Sequence, residues 1–520
     1  MDYKVLIPSA GLGTRLGDLS KNVNKALVSV ANKPVISYII EKFPADIEIV
    51  VAIGHKGQLV KDYLELAYPE RKITCVEIDN YRGSGSGLGY TILQCEKHLQ
   101  CPFVFCSNDT MVLEDIPEPN KNWMGYANIQ DNKTYRSIQV QDGLVYKICE
   151  KEEQCDSQAY IGLAGVYNYQ TFWKAMREGI NYGSIKEGEC FGLGSLLKNR
   201  IHAKLFTWYD TGNLEGIEEV KKLYQTDSGP NILEKPNEAI WFVNDRVVKY
   251  SFDESFITKR VKRSEKLRGY IPRLTDSRTN MYSYKEIKGN VISEVVTKPL
   301  FEDLLVWLEG FWRPLQLNDR KLKSFYNKCE NFYKEKTENR ITQYYNRFRQ
   351  KDTAENINDI EVPRLDDLLQ KLDWGNLVRG TPVRFHGDLH FENILVAENG
   401  NFVLLDWRQD FANLIEYGDI YYDFAKLLHG LIVSHEMVSK EHYKITNDAG
   451  IIKYDILRPQ KLVECEETLK NFIIESGYDY KKVQILTALI FLNIAPLHHY
   501  PYSEFLFYLG KSQLNELLND

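Results

Sequence analysis

The stretch Tyr3–Leu16 constrains the fold of this chain more than any other part of the sequence. Residues 5–7 form a short apolar run of the kind that a buried parallel strand shows, and a glycine-rich turn follows directly. Two glycines two residues apart let backbone N–H groups approach an anion without interference from Cβ atoms. Arg15 adds a planar set of donors that suits a phosphate. The stretch therefore predicts a phosphate-binding turn whose candidate residues are Ser9, Ala10, Gly11 and Gly13.

The chain then repeats an alternation of short apolar strands and helical patterns. Strands are predicted at 47–53, 74–78 and 102–106, with helices at 33–43 and 58–66 between them. This alternation predicts an α/β fold, a doubly wound and mostly parallel sheet with helices on both faces. Ligands of such sheets gather at the carboxyl ends of the strands, where the glycine turn lies. A second small-residue loop, 83–89, opens the next helix and is either a flexible loop or a second backbone wall around a nucleotide. The family resemblance described below favours the nucleotide and adds Gly87 as a nucleotide-binding candidate.

Asp109 follows the predicted strand 102–106 within a polar turn. A carboxylate at the end of a central strand, beside a phosphate-binding turn, is placed to hold Mg²⁺. Aspartates in such positions also cap turns without any ligand. We favour the metal ligand because the strand end and the phosphate-binding turn belong to the same edge of the predicted sheet.

The opening stretch, together with the segments 24–27 and 32–36, resembles the G-x-G-T-R-x(n)-P-K-P-L signature of nucleotidyltransferases that activate sugar phosphates and phospho-alcohols. Asn24 and Ala26 replace the prolines of that signature, whereas Lys25 is kept. The resemblance covers residues 1 to about 225 and implies a Rossmann-like nucleotidyltransferase fold. It implies catalytic roles for Arg15 and Lys25, and a Mg²⁺ site on Asp109 and Asp210. It also implies an acceptor site with Glu150, Lys151 and Gly165.

A polar stretch with Gly229 and Pro230, residues 225–230, predicts a linker and hence two domains, 1–228 and 232–520. Beyond it, 239–250 has the pattern of a hairpin, with Asn244 and Asp245 at its turn and Lys249 on its second strand. A basic helix predicted at 256–268 carries Glu265. From residue 300 onward the pattern is helical, so we divide the second domain into lobes at 232–298 and 299–520.

The segments 386–395 and 403–407 hold the residues that a phosphoryl-transfer site needs. Asp388 would accept the proton of a substrate hydroxyl, while Asn393 and Asp406 would hold Mg²⁺ on the phosphates of ATP. The pattern H-G-D-x-x-x-x-N followed by Asp-Trp resembles the choline kinase and aminoglycoside phosphotransferase family, a branch of the protein-kinase fold. The resemblance implies a bilobal α+β domain in which Lys249 binds ATP phosphates with Glu265 as its helix partner.

Composition narrows the classes of partner. A net charge of −7 gives no reason to expect nucleic acid or an anionic membrane surface. The longest apolar runs are too short to span a bilayer, and the brief N-terminal apolar run predicts no signal peptide. Nine cysteines without a C-x-x-C pair argue against a zinc site or a disulfide framework. We expect a cytoplasmic protein with reduced thiols, and association into a homo-oligomer stays open.

The two resemblances together predict a bifunctional enzyme. One site would phosphorylate a small alcohol with ATP. The other would transfer a nucleoside monophosphate, with CTP favoured as its source, onto that phosphate and release pyrophosphate. The product would be an activated head group for bacterial surface polysaccharide or glycolipid assembly. Two alternatives remain: a sugar kinase joined to a sugar-1-phosphate nucleotidyltransferase that uses UTP or GTP, and a regulatory or binding protein with an inactive domain.

Overall fold

The computed structural model describes residues 2–129, 134–151, 158–224, 237–448 and 450–519. The chain divides into two compact units. The first contains Met1–Ile257 and Thr275–Glu286, and the second contains Thr258–Leu274 and Ile287–Asp520. The linker predicted at 225–230 lies outside the described residues.

A nine-stranded sheet forms the centre of the first unit. Its strand Lys4–Ser9 lies between Glu48–Ile53 and Phe103–Cys106 and runs parallel to both. Apolar side chains from residue 5 to residue 7 are fully buried, as expected for a strand covered on both faces. The predicted α/β fold is thereby confirmed, but the parallel strands occupy mainly one side of the sheet. In order across the sheet the strands are Ile73–Glu77, Glu48–Ile53, Lys4–Ser9, Phe103–Cys106, Gln158–Val166, Trp123–Ala127, Ile201–Leu205, Leu144–Cys149 and Ser137–Gln141.

Helices cover both faces of this sheet and enclose two apolar clusters. One cluster lies around Val5, Ile7 and Val104, and the other around Leu6, Phe103 and Phe105. This alternation of neighbouring residues between two cores is the signature of a sheet buried on both sides. The α-helices of this region are Val35–Ile40, Gly57–Ala67, Leu88–Cys95, Tyr169–Glu178, Ser184–Glu187, Glu189–Ser195 and Leu214–Tyr224.

A smaller, four-stranded sheet completes the first unit. The predicted hairpin is present as Glu238–Val243 and Arg246–Ser251, with Asn244 and Asp245 at its turn. Both turn residues have positive φ, 50° and 55°, which suits the tight turns that follow the twist of a two-stranded ribbon. The remaining two strands, Met281–Lys285 and Leu274–Arg278, extend the sheet beyond the hairpin.

The small sheet packs on the nucleotidyltransferase-like core. Trp241 is fully buried, donates its indole N–H to Ser29 Oγ at 2.7 Å and meets the Tyr63 ring edge-on at 5.1 Å. Arg278 pairs with Glu65 at 2.9 Å. Residues 237–257 and 275–286 therefore share a core with the first unit, although the sequence division assigned them to the second domain. The boundary at 228–232 stays a sequence prediction and differs from the division into compact units.

The second unit is mostly helical. Its α-helices are Ile292–Val295, Lys298–Phe311, Asp319–Glu330, Lys336–Phe348, Leu365–Lys371, Trp374–Leu377, Ile420–Ile432, His435–Ser439, Gln460–Glu475, Tyr480–Ile494 and Tyr502–Asn519. A further helix, Glu254–Lys266, contributes its residues from Thr258 onward to this unit. In the described part of the chain, no helix is both long enough and apolar enough to cross a membrane.

Three small sheets accompany these helices. One contains, in order, the strands Gly289–Val291, Ile394–Ala397 and Phe402–Leu404, and its last two strands lie between Asn393 and Asp406 of the predicted phosphoryl-transfer motif. The second contains Ile360–Val362, Glu355–Ile357, Ile451–Ile456 and Tyr443–Asp448, and the third joins Pro382–Val383 to Gly418–Asp419.

The packing of the small sheet gives a stability prediction. Trp241→Ala should cost the first unit about 3–5 kcal/mol of unfolding free energy, because it leaves a large cavity in a shared core. Hydrogen exchange of the strands Lys4–Ser9 and Glu48–Ile53 measures this loss, since their buried amides exchange mainly when the unit opens. Trp374→Ala, in the second unit, is the control and should leave that exchange unchanged. Equal exchange in the wild type and Trp241→Ala would show that the two sheets do not share a core.

Candidate functional site

Strand pairing in the first unit brings Asp109 and Asp210 together. Thr110–Val112, which follows Asp109, pairs antiparallel with Trp208–Asp210, so that Asp210 lies opposite Thr110. The backbone N–H of Thr211 donates to the carbonyl oxygen of Asp109 at 2.9 Å. Two carboxylates about a hundred positions apart in the sequence are thereby placed at one point.

Cations surround these carboxylates. Lys25 forms an ion pair with Asp109, and the two terminal nitrogens of Arg15 lie 3.6 Å from Asp109 Oδ2 and 3.9 Å from Asp210 Oδ2. Burial opposes ionisation of Asp109, but Lys25, the Ser107 hydroxyl and Arg15 hold its pKa below the usual value. Asp109 is therefore a carboxylate at neutral pH, the form that a metal ligand requires.

Gly212 leaves open the space between the two carboxylates. A Cβ at this position would lie 2.7 Å from Asp109 Oδ2, 2.8 Å from Asp210 Oδ1 and 2.9 Å from the nearest nitrogen of Arg15. Among the described residues there is no group of three or more His, Cys, Asp or Glu side chains that could hold a metal. Two carboxylates nevertheless fit Mg²⁺, which often takes one or two protein ligands and completes its shell with substrate phosphates and water.

Asn24, which stands where the nucleotidyltransferase signature has a proline, is held by side-chain hydrogen bonds. Its amide donates to the carbonyl oxygens of Ser9 and His55, at 3.1 and 2.6 Å, and its Oδ1 accepts the N–H of Ala26. These bonds connect the turn after the first strand to the short 3₁₀ turn Lys25–Leu27. The position of Lys25 is thus fixed by hydrogen bonds rather than by a rigid ring.

The nucleotide-binding candidates lie at the carboxyl end of the central strand and at a helix start. Ser9 and Ala10 are buried, and the hydroxyl of Ser9 has no hydrogen-bond partner within the described ranges. Gly13 has φ 68°, and a Cβ on it would lie 2.9 Å from Lys25 Cβ. Gly11 is exposed, and a Cβ on it would meet no atom within 4 Å. Gly87 caps the helix Leu88–Cys95, where a Cβ would lie 2.5 Å from the carbonyl oxygen of Ile185.

The acceptor-site candidates differ in their exposure to solvent. Glu150 is exposed and pairs with Arg136 at 3.2 Å, and Lys151 is exposed directly before residues 152–157, which lie outside the described part. Gly165 is buried beneath Trp123, whose indole nitrogen would lie 2.0 Å from a Cβ there. The structure therefore places Gly165 in the packing of the sheet rather than on an accessible surface.

Glu189 is a candidate that sequence reasoning missed. It is buried, and burial raises the pKa of its carboxyl group to about 7. Its Oε2 and the hydroxyl of Tyr160 make no well-formed hydrogen bond in the described structure, although the hydroxyl is near enough to oppose the rise of the Glu189 pKa. Buried polar atoms without partners commonly face a ligand or ordered water. A glutamate at the start of a helix gives no sequence signal for this role, because acidic residues are ordinary there.

The phosphoryl-transfer motif of the second unit centres on Asp388. Lys426 Nζ lies 2.8 Å from its Oδ1, and His390 Nε2 lies 3.6 Å from its Oδ2. Burial opposes ionisation, but Lys426 and His390 hold the pKa of Asp388 well below the usual value. Burial alone would lower the pKa of His390, but Asp388 and Glu392 raise it to about 9. Asp388 is thus an ionised acceptor at neutral pH.

Asn393 and Asp406 lie at one end of two neighbouring strands of the three-stranded sheet. Ile394–Ala397 and Phe402–Leu404 pair antiparallel, and the N–H of Leu405 donates to the carbonyl oxygen of Asn393 at 2.7 Å. The Asn393 side chain also donates to the carbonyl oxygen of Asp388 at 2.9 Å. An amide oxygen and a carboxylate in this arrangement are suitable Mg²⁺ ligands.

Asp423 and Arg263 form hydrogen bonds with the backbone of residues 385–387, at the start of the phosphoryl-transfer motif. Sequence reasoning did not single out either residue. Asp423 accepts the backbone N–H groups of His386 and Gly387 at 2.8 and 2.7 Å. Burial raises the pKa of its carboxyl group to about 6. Arg263 is almost fully buried and donates to the carbonyl oxygen of Phe385 at 2.6 Å. A buried arginine in a basic helix is hard to predict, because such a pattern usually marks a solvated face.

Lys249 and Glu265 belong to different compact units, and their pairing stays a prediction. Lys249 is buried on the strand Arg246–Ser251, opposite Ile240 and Tyr282. Glu265 is exposed on the helix Glu254–Lys266. On the same helix, Arg260 pairs with Asp406, and Lys259 Nζ lies 2.8 Å from Asp410.

Comparison with protein families identifies two regions of the chain. Residues 4–227 match the nucleotidyl transferase family, and residues 308–438 match the phosphotransferase enzyme family. The chain therefore joins a nucleotidyltransferase region to a phosphotransferase region, and both resemblances drawn from the motifs are confirmed.

Curated relatives match the first region. The bifunctional protein GlmU of Methanococcus vannielii is 27% identical over 180 residues, which are 33% of this chain and 41% of that protein. GlmU of Methanococcus maripaludis is 25% identical over 228 residues, 43% of this chain and 51% of that protein. The UTP–glucose-1-phosphate uridylyltransferase of Mycoplasma pneumoniae is 39% identical over 64 residues, 12% of this chain and 22% of that protein. The match spans about half the length of these relatives or less.

Solved structures with similarity to the chain include a UDP-glucose pyrophosphorylase complexed with UDP-glucose. It is 20% identical, covers 43% of this chain and 98% of its own, and has a TM-score of 0.37. The CTP:phosphocholine cytidylyltransferase of Streptococcus pneumoniae is 18% identical, covers 43% of this chain and all of its own, and has a TM-score of 0.35.

The geometry of Gly212 gives a direct test of the aspartate pair. Gly212→Ala should weaken Mg²⁺-dependent binding of CTP and UTP by about tenfold or more, because the added methyl group fills the space between the carboxylates. Calorimetric titration of the full chain measures this. Gly194→Ala is the matched control, since a Cβ there meets no atom within 4 Å. Equal nucleotide affinity in the two variants would place the metal elsewhere.

Proposed function

We propose that this chain is a two-site enzyme that phosphorylates a hydroxyl compound with ATP and then transfers a nucleoside monophosphate onto the new phosphate. One observation carries the proposal. Each family-matched region places an ionised, lysine-paired aspartate beside a second candidate Mg²⁺ ligand. An inactive regulatory protein would have no need for both sets, and this alternative is the least supported.

The first reaction is assigned to the Asp388 site. The substrate hydroxyl loses its proton to Asp388 while its oxygen attacks the γ-phosphorus of ATP, and ADP leaves. Lys426, at 2.8 Å from Asp388, is placed to balance charge that develops on the transferred group. Mg²⁺ held by Asn393 and Asp406 would supply further neutralisation of the phosphates. Lys249 remains the candidate for contact with the ATP phosphates.

The second reaction is assigned to the Asp109 site. An oxygen of the new phosphate attacks the α-phosphorus of a nucleoside triphosphate, and pyrophosphate leaves. Lys25 and Arg15 are placed to neutralise the charge that develops in this step. Asp109 and Asp210 would hold Mg²⁺, which would neutralise negative charge on the phosphates. The order of the reactions follows from chemistry, because the nucleotidyl transfer needs a phosphate as its nucleophile.

The identity of the nucleotide is the finer part of the proposal. We favour CTP and a phosphorylated alcohol, from the combination of a choline-kinase-like motif with a nucleotidyltransferase motif and from the small residues of the predicted base site. The second candidate, a sugar kinase joined to a sugar-1-phosphate nucleotidyltransferase, is favoured by the names of three curated relatives, each a UTP–glucose-1-phosphate uridylyltransferase. In either case the product would be an activated head group for surface polysaccharide or glycolipid assembly, made in the cytoplasm.

The two sites should be separable by mutation. Asp388→Asn should lower ATP-dependent phosphorylation about 100-fold or more by removing the proton acceptor, and should leave nucleotidyl transfer to pre-made phosphates largely intact. Asp109→Asn should have the opposite effect. Product masses from a panel of alcohols, sugars and their phosphates measure both reactions.

Two exposed aspartates provide matched controls, Asp46→Asn in the first unit and Asp367→Asn in the second. Neither control should change either reaction. Loss of both reactions in one folded single variant would contradict the assignment of the reactions to separate sites.

A further inference from the structure

A cavity of about 250 Å³ lies within the second unit beside an irregular helical segment. Its lining includes Lys328, Phe332, Lys336, Arg408 and Asp410. Phe332 belongs to a π-helical turn, Asn331–Glu335, that joins the helices Asp319–Glu330 and Lys336–Phe348. Such turns are rare and frequently occur at functional sites, because they redirect side chains within a helix.

The cavity carries an excess of positive charge. Lys328, Lys336 and Arg408 contribute three cations, and no carboxylate in the described part of the chain forms a salt bridge with any of them. Asp410 is the one carboxylate among the described lining residues, and its Oδ2 already lies 2.8 Å from Lys259 Nζ. Among the residues that the structure describes, no carboxylate therefore pairs with Lys336 or Arg408.

The local field at the cavity is positive. Burial, together with Arg408 and Lys426, lowers the pKa of Lys336 to about 8 even though Tyr422 acts in the opposite direction. Burial would raise the pKa of Tyr422, but Lys336, Lys426 and Arg408 lower it below the usual value. A partly buried cation among other cations is unfavourable unless an anion accompanies it.

The aromatic faces of the cavity are already covered by cations of the protein. Lys336 Nζ lies 4.6 Å from the centre of the Phe332 ring, and Arg408 Cζ lies 4.9 Å from it. Lys336 Nζ also lies 5.6 Å from the centre of the Tyr422 ring. A quaternary ammonium needs free aromatic faces, and here it would meet two like charges. The cavity is therefore unsuited to choline or to another cationic alcohol.

One helix connects the cavity to the proposed proton acceptor. On Ile420–Ile432, Tyr422 packs against Phe332 with ring centres 4.8 Å apart, and Lys426 lies one turn further along. Lys426 Nζ contacts Asp388 at 2.8 Å. Positively charged side chains therefore lie both in the cavity, as Lys336 and Arg408, and beside Asp388, as Lys426. Asp388 is the residue at which a substrate hydroxyl would be activated.

We propose that the alcohol phosphorylated at Asp388 carries a carboxylate or phosphate group, which Lys336 and Arg408 bind in this cavity. The proposal rests on the proposed kinase function and adds the charge class of its substrate. The hydroxyl oxygen forms a bond to the γ-phosphorus of ATP, the bond from that phosphorus to the β–γ bridging oxygen breaks, and ADP leaves. The hydroxyl proton passes to Asp388, and the anionic group of the substrate takes no part in bond making.

Three probes with one carbon skeleton and different charge test the proposal: glycerate, glycerol and 3-amino-1,2-propanediol. Calorimetric titration of the full chain should show glycerate binding about tenfold more tightly than either of the others, as expected for a charge-assisted contact. Lys336→Met should remove this preference, and Lys336→Arg should retain most of it. Lys323→Met, at an exposed lysine of the neighbouring helix, is the control and should change nothing.

The phosphates of ATP are the other source of anions for this cavity. Titrations of glycerate are therefore repeated with the non-hydrolysable ATP analogue AMP-PNP and Mg²⁺ at saturation. Glycerate binding that persists assigns the cavity to the substrate. Glycerate binding that the ATP analogue abolishes would assign the cations to the nucleotide and overturn the proposal.

Other outcomes separate this proposal from the kinase function itself. Equal or tighter binding of the amine, no detectable glycerate binding, or unchanged glycerate binding in Lys336→Met would overturn the charge class. If only the amine were phosphorylated, and Asp388→Asn lost that activity, the proposed charge class would be wrong while the kinase function would stand. Glycerate binding that depends on Lys336, without phosphorylation of any compound in the wider panel, would refute the kinase function and leave the anion site in place.

Discussion

Each candidate site depends on one partly buried aspartate that a lysine from elsewhere in the chain keeps ionised. Asp109 is paired with Lys25, and Asp388 is paired with Lys426. Partial burial by itself raises the pKa of such a carboxyl group, because the loss of hydration disfavours the charged form. The ammonium group of each lysine must therefore lie close to its aspartate, and neighbouring contacts fix the position of each lysine. Asn24 fixes the turn that contains Lys25 by three hydrogen bonds. Lys426 lies on the α-helix Ile420–Ile432, whose regular backbone fixes its position.

The small sheet extends this dependence beyond the nucleotidyltransferase region. The hydroxyl of Tyr250 donates to the carbonyl oxygen of Asn22 at 2.8 Å. The backbone N–H of Phe242 donates to the carbonyl oxygen of Asn32 at 2.9 Å. The segment that carries Lys25 is thus held at both ends by the hairpin that carries Lys249. A change in the hairpin strands is therefore transmitted to the segment of Lys25 through direct hydrogen bonds.

Strand periodicity and short motifs were enough to predict the α/β fold, the positions of its first strands and both family resemblances. They also predicted the candidate residues Asp109, Asp210, Asp388, Asn393 and Asp406. The structure brings Asp109 close to Asp210 and joins Asn393 to Asp388 by a hydrogen bond, while the roles of all five stay predictions. Local patterns cannot reveal which surface an element covers. For this reason the sequence division separated the hairpin of Trp241 from the core that buries it. The sequence does contain a signal for Lys426, which lies within the apolar pattern of a helix. A lysine in such a position is seldom buried without a partner.

The central claim is that the phosphate made at one site becomes the acceptor at the other. The most direct test supplies the full chain with ATP labelled with ¹⁸O in its γ-phosphoryl group, unlabelled CTP and UTP, and a panel of hydroxyl compounds. Tandem mass spectrometry then locates the label in any nucleoside diphosphate product. The account predicts a product whose labelled phosphoryl group is attached to the acceptor carbon skeleton, with unlabelled pyrophosphate released. A nucleotide-linked product without label, or label in pyrophosphate, would contradict it.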